Sequence, residues 1–406
     1  MKKRTLQLLC LALTLLLLAL PLVGCDDATP PTDTSDSESA SDSTDTTDTQ
    51  KSEDSSDEKT TEESETDDGY LYETHTYSTL TCSDQIKVIG RSTKTDKGIT
   101  ADWTGSGIAF NARCHGEIRI TISSSLACKF KVFVDDKNPV TVSVSSGTRS
   151  YRVAGDLQKG EHSIRLLKQS AVESSNNGVL CSIDSIEMTG DLLAPPANAP
   201  YLVEIIGDSI TCGVGSMVEN EPNAFGSYAY LFAEQMQVDY SIVSISGIGL
   251  LKSTGRHNGL TMLKAYSYLN YYRSKTEKYT PTRQADAVVI NLNTNDKGSM
   301  TAAMEDDYKA AAKQLIQEIR AIHGADVKII WVYGMMRGYN DGYCDIWADE
   351  VLAELGGEAA GYYSKKLPLN TQGVASHPNT KGHQKAAAVL ADFFKTKELL
   401  PTVTEK

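Results

Sequence analysis

The chain has 406 residues, with 39 basic and 53 acidic side chains and a formal charge of -14. That length holds two or three domains. The negative balance argues against nucleic acid as a partner and against direct attraction to an anionic membrane surface.

The first element is a targeting segment, residues 1–25. Met1 to Arg4 is basic, Leu6 to Leu20 is almost wholly apolar, and Leu22-Val23-Gly24-Cys25 follows. The apolar stretch suits a signal peptide and is short for a membrane-spanning helix. A small residue before a cysteine here resembles the bacterial lipobox, in which the cysteine thiol takes a diacylglycerol. The resemblance implies Cys25 as the lipidation site, membrane anchorage through buried acyl methylenes and an extracytoplasmic, cell-surface location. A plain signal peptide and an uncleaved anchor are the alternatives.

Residues 26–69 come next, with 17 acidic residues against two lysines and almost no large apolar side chain. Such a segment cannot offset its ordering entropy, so a disordered, charge-extended tether is expected. The remaining 36 acidic and 34 basic residues nearly cancel. The acidity therefore belongs to the tether, and the near-neutral remainder suits a neutral polysaccharide better than a charged polymer.

From residue 70 to 195 the pattern is period-two. Ile118 to Ile122, Phe130 to Val134, Val140 to Val144 and Ser163 to Leu167 alternate, separated by turn signals such as Asp135-Asp136-Lys137-Asn138-Pro139 and Ser146-Gly147. Short strands at this spacing predict an all-β sandwich of the jelly-roll kind, without helices. Cys82, Cys114, Cys128 and Cys181 fall here; four cysteines allow three pairings, and free buried thiols are equally compatible. With no CxxC or Cys/His cluster, no zinc site is expected.

Residues 193–200, rich in Pro and Ala, read as a domain boundary. Beyond them, from residue 196 to 406, the periodicity changes. Strands are predicted at Tyr201 to Ile206, Tyr240 to Ile245, Ala287 to Leu292 and Val327 to Tyr333. Helices are predicted at Asn223 to Met236, Ala302 to Ile322, Trp347 to Leu355 and Lys381 to Phe394. The alternation predicts a three-layer α/β domain with a parallel sheet covered on both faces. Ligands of such sheets lie beyond the carboxyl ends of the strands.

Those ends carry Gly207-Asp208-Ser209, Ser246-Gly247-Ile248-Gly249 and Asn293-Thr294-Asn295-Asp296, and Ser376-His377-Pro378 precedes the last helix. Each alone reads as a turn. Their order resembles the four blocks of the SGNH (GDSL-type) hydrolases. With Trp103, Gly160-Glu161-His162 and the run Gly207 to Gly213, the whole chain resembles the second family of carbohydrate esterases. Those enzymes pair a jelly roll with an SGNH domain and remove acetyl groups from xylan and glucomannan. The resemblance implies Ser209 as nucleophile and His377 as general base. It implies the Ser209 and Gly247 N–H groups and the Asn295 side chain as the oxyanion hole, with Gly249 as the alternative glycine. No metal and no cofactor are needed. The resemblance implies an acetylated polysaccharide as partner, and a monomer is expected.

Two positions depart from the family pattern. Val374 stands where SGNH sequences usually have the Asp that orients the histidine. A Ser–His dyad with the imidazole held by a backbone carbonyl is therefore expected, as in similar esterases. Asn293 stands where the third block normally has Gly, which would narrow that loop. Tyr339, Tyr343 and Trp347 cluster after a strand and could offer aromatic faces to a sugar ring. His257, His323 and His383 suit surface or helix-cap positions. Another ester (acetylated peptidoglycan, a surface glycan or a lipid) and a non-catalytic surface carbohydrate-binding protein are the competing functions. The β-sandwich could bind glycan or brace the enzyme.

Overall fold

The computed structural model describes residues 69–400 apart from 175–176, 217–221 and 337–341. The targeting segment with Cys25, the tether as far as Asp68, and Tyr339 lie outside the described residues. Residues 67–406 form one compact unit.

Ten strands come first: β1 (Thr74–Ser78), β2 (Lys87–Ile89), β3 (Ile99–Thr100), β4 (Gly107–Ser124), β5 (Cys128–Val134), β6 (Val140–Val144), β7 (Gly147–Lys168), β8 (Glu173–Ser174), β9 (Asn177–Gly178) and β10 (Cys181–Leu192). All but the β8–β9 pair hydrogen-bond into one antiparallel sheet with the path β1-β10-β4-β7-β5-β6. The alternating segments at 118–122 and 163–167 are parts of the much longer strands β4 and β7. Bulges between Cys114 and Arg119 break their ladder. Such bulges let strands bend from one layer of a sandwich into the other. Ile108, Phe110, Ile118, Ile120, Ile122, Phe130, Ile164, Leu166, Ile183 and Ile186 fill the core between the layers. Among the described residues all six cysteines are free and buried.

Residues 193–200 are irregular but pinned: Asn111 Nδ2 donates to Ala194 O, Lys87 Nζ to Ala197 O, and the Ala199 N–H to Asp239 Oδ2. Five parallel strands follow, β11 (Leu202–Gly207), β12 (Asp239–Ser244), β13 (Ala287–Asn291), β14 (Lys328–Tyr333) and β15 (Tyr362–Lys366), in the order β12-β11-β13-β14-β15. The helices are α1 (Tyr228–Met236), α2 (Met262–Ala265), α3 (Asn293–Lys297), α4 (Glu305–His323), α5 (Tyr343–Glu354) and α6 (Thr380–Thr396). Val203, Ile205, Val289, Ile330 and Val332 pack with apolar residues of α1 and α6, while Ile206, Val288, Ile290, Ile329 and Trp331 pack with those of α4 and α5. Both faces are buried, which is why the strands read as continuous apolar runs. Strand β15, Tyr-Tyr-Ser-Lys-Lys, escapes a hydropathy reading because it is polar and forms the sheet edge.

The sandwich and the α/β layer share buried polar contacts. Arg91 forms a bidentate pair with Glu204 of β11 at 3.0 and 2.8 Å. Asp102 accepts from Arg273 at 2.7 and 2.8 Å, and Trp103 Nε1 donates to Leu269 O.

Candidate active site

The chain reverses after β11 with strand order 2-1-3-4-5, so the crevice between the first strand and its third-strand neighbour opens beyond their carboxyl ends. Ser209 stands there, 6% exposed, at the start of a tight turn. Cys212 N–H donates to Asp208 O and Val214 N–H to Ser209 O. No regular helix begins at this point. Gly207 is required by packing: a Cβ there would lie 2.0 Å from Thr211 Oγ1.

His377 reaches Ser209 from the loop before α6. Its Nε2 is 2.7 Å from Ser209 Oγ, and its Nδ1 is 3.1 Å from Val374 O. A carbonyl only accepts, so Nδ1 carries the proton and Nε2 presents its lone pair to the serine hydroxyl. Burial pushes the imidazole below its usual value, which favours the neutral form that can accept a proton. The carbonyl that orients it belongs to a short turn in which Ala375 (φ 50°) and Ser376 (φ 60°) are left-handed without being glycine, a strained conformation that the surrounding contacts must hold. Gly373 N–H donates to His377 O at 2.7 Å. Gly215 packs so closely that a Cβ would meet His377 Cβ at 2.9 Å. Neither glycine carries a motif, and the sequence alone did not single them out.

Gly247 (φ 82°) and Gly249 both follow β12. The Gly249 N–H donates to Ser253 Oγ at 3.0 Å. Among the described residues the Gly247 N–H has no partner, so of the two glycines it has the donor to spare. Asn295 lies on α3. Its Nδ2 donates to Ile248 O at 2.7 Å and Asp208 Oδ2 at 3.1 Å, so it offers an N–H to an oxyanion by exchanging the longer contact. Burial pushes the Asp208 carboxyl up to about 7, opposed by the Ile210 N–H and reinforced by Asp296. Asp296 accepts the Leu250, Leu251 and Lys252 N–H groups at 2.7–2.8 Å, tying the third block to the second.

Asn293 is buried, 2% exposed. Its Oδ1 accepts from Tyr308 Oη and from Trp331 Nε1, and its Nδ2 donates to Asp345 at 2.8 Å. Three elements are joined through one buried amide.

Within the aromatic cluster Trp347 is a correction. Trp347 is 3% exposed and packs against Tyr308 and Tyr343 within the core, so it presents no face to a sugar. It falls on the apolar stripe of α5, and a tryptophan on that stripe fills volume. Tyr343, 41% exposed, caps it. For the histidines only the surface half of the expectation is corrected: His257, His323 and His383 are all buried, while His323 ends α4 and His383 caps α1. His323 donates to Glu204 Oε1, and His383 Nδ1 accepts the first N–H of α1.

Residues 205–385 match the GDSL-like Lipase/Acylhydrolase family. Residues 88–196 match the Carbohydrate esterase 2 N-terminal model. Over 313 residues, 73% of the chain, it is 29% identical to the cellulase/esterase CelE of Acetivibrio thermocellus, and it spans 37% of that protein's length. A family two carbohydrate esterase from Clostridium thermocellum, solved in complex with cellohexaose, superposes with TM-score 0.70 at 28% identity over 78% of this chain and all of the other. The acetyl xylan esterase Est2A of Butyrivibrio proteoclasticus shares the fold at TM-score 0.71 and 20% identity, over 81% of this chain and 99% of the other. A carbohydrate esterase 2 N-terminal domain thus precedes a GDSL-like acylhydrolase domain, and the chain is close to the carbohydrate esterases of the second family.

Proposed function

We propose that the protein is a serine esterase that removes O-acetyl groups from plant cell-wall polysaccharide, xylan or glucomannan. The carrying observation is the contact of His377 Nε2 with Ser209 Oγ, with Nδ1 held by the Val374 carbonyl. A serine hydroxyl is a weak nucleophile until a base accepts its proton. Ser209 Oγ attacks the acetyl carbonyl while His377 Nε2 takes that proton. The tetrahedral oxyanion is received by the Ser209 and Gly247 N–H groups and by the Asn295 amide, each such donor lowering the barrier by ~3 kcal/mol. The imidazolium then protonates the departing sugar oxygen, leaving acetyl-Ser209. Water, deprotonated by His377, attacks this ester; the imidazolium returns the proton to Ser209 Oγ as acetate leaves, restoring the free enzyme.

The cellohexaose complex of the Clostridium thermocellum relative supports a polysaccharide as substrate. The lipobox-like Cys25 supports a lipid-anchored, cell-surface location; Cys25→Ala should abolish incorporation of labelled fatty acid, and retained labelling would refute the anchor.

Acetate release from acetylated xylan, glucomannan and peptidoglycan tests the reading, with wild type beside Ser209→Ala. Release from the plant polymers that disappears in the variant is the expected result. Undiminished release by Ser209→Ala overturns the mechanism. Glycan binding without any release would make the protein a carbohydrate-binding module.

A further inference from the structure

The Ser246–Gly247 peptide is gripped from one side. His257 Nε2 donates to Ser246 O at 2.7 Å, and Arg256 Nη2 donates to the same oxygen. The Ser246 N–H donates to Glu173 Oε1 at 3.0 Å. Glu173 comes from β8 of the N-terminal strands, its side chain 3% exposed, and its Oε1 lies 3.5 Å from Arg256 Nη2. These groups close around the Gly247 α-carbon: a Cβ there would meet Thr254 Oγ1 at 2.7 Å and both Arg256 Nε and His257 Nε2 at 3.1 Å.

No described peptide bond is cis. In a trans peptide the carbonyl and the N–H point in opposite directions. Whatever holds Ser246 O therefore aims the Gly247 N–H the other way. In the sheet Gly207 stands opposite Ser244, so Ser209 and Ser246 each lie two residues beyond the paired ends of neighbouring strands.

We propose that Glu173, Arg256 and His257 are positioning residues that orient the Gly247 N–H toward the oxyanion formed at Ser209. None touches the reacting atoms; they act through one peptide plane. The proposal rests on the acyl-transfer reading, and it gives the β8–β9 pair of the N-terminal region a part in the site, since Glu173 anchors the loop from outside the parallel sheet.

The test uses the full chain and a soluble aryl acetate. His257→Ala and Glu173→Ala should lower kcat about tenfold or more with KM nearly unchanged, because a donor displaced by about 1 Å loses most of its effect on the transition state. Affinity for an alkylboronic acid, which forms a tetrahedral adduct on serine, should fall in step. His257→Gln, which keeps a donor near the Nε2 position, should recover most of the loss, whereas a merely structural role would move Tm without this pattern. Ser209-dependent turnover with kcat unchanged in both alanine variants overturns the proposal. Turnover that survives Ser209→Ala overturns the esterase reading instead. In that case crystal structures of His257→Ala and Arg256→Ala decide: a rotated Ser246–Gly247 peptide supports the positioning, and an unmoved one overturns it.

Discussion

His377, the general base of the proposed reaction, is held without a carboxylate. Where a carboxylate partner would raise the imidazole, burial lowers it from 6.5. The acid limb of kcat/KM should therefore have its midpoint below 6.5, read from a pH–rate profile on an uncharged acetate; a midpoint above that value would mean an unseen anionic partner. Because the orienting group is the Val374 carbonyl, its side chain should matter little. Val374→Ala should keep kcat/KM within about twofold, whereas Ser209→Ala loses it. The Ser209–His377 pairing was legible from motif order, since strand ends of one parallel sheet converge on one crevice. The orienting contact was foreseen only through the absence of an aspartate at 374. The strained turn at Ala375 and Ser376 that delivers it left no mark in the sequence.

At the scale of elements, α3 and α5 show how the third block is braced. Asn293 links α3 to Trp331 of β14, to Tyr308 of α4 and to Asp345 of α5. Lys297 Nζ pairs with Asp345 at 2.9 Å. Trp347 fills the space beneath. Trp347→Ala should destabilise the fold by ~3–5 kcal/mol, as large-to-small changes at buried aromatics do, with KM for polymer and for a small aryl acetate altered alike. Denaturant unfolding and paired kinetics check this, and a selective rise in KM for polymer would restore a sugar-binding role. Helices and buried strands were legible because their periodicity is strong. Strand β15 and the full lengths of β4 and β7 were not, because pairing partners and bulges are set by neighbouring strands.

Across the whole molecule, one buried network joins the two layers. Glu204 accepts from Arg91, Tyr266, Ser241 and His323. Burial alone would raise its carboxyl, but the Arg91 charge and these donors hold it well below the usual range. A carboxyl lowered in the folded state contributes stability above its unfolded pKa of about 4.3 and loses it as pH falls below that value. Arg91→Ala leaves a buried carboxylate unpaired and should cost ~3–5 kcal/mol, measured by denaturant unfolding at pH 7. Its stability should also depend less steeply on pH between 5 and 3 than that of wild type. Deleting residues 26–69 should leave turnover of a soluble ester unchanged, since the charge concentrated there belongs to no part of the described fold.

Taken alone, the sequence determined the partition of charge, the change from period-two to alternating strand and helix, and the order of Ser209, Gly247, Asn295 and His377. These follow from local composition and from the rule that parallel sheets expose their strand ends. Tertiary structure alone decided that Trp347 is core, that Asn293 is a buried brace bonded to three other elements, and that Glu173 lies beside the Ser246–Gly247 loop. Burial and long-range hydrogen bonding depend on which segments meet, and residues as far apart as Glu173 and Ser246 meet only when the β-sandwich and the α/β layer pack together.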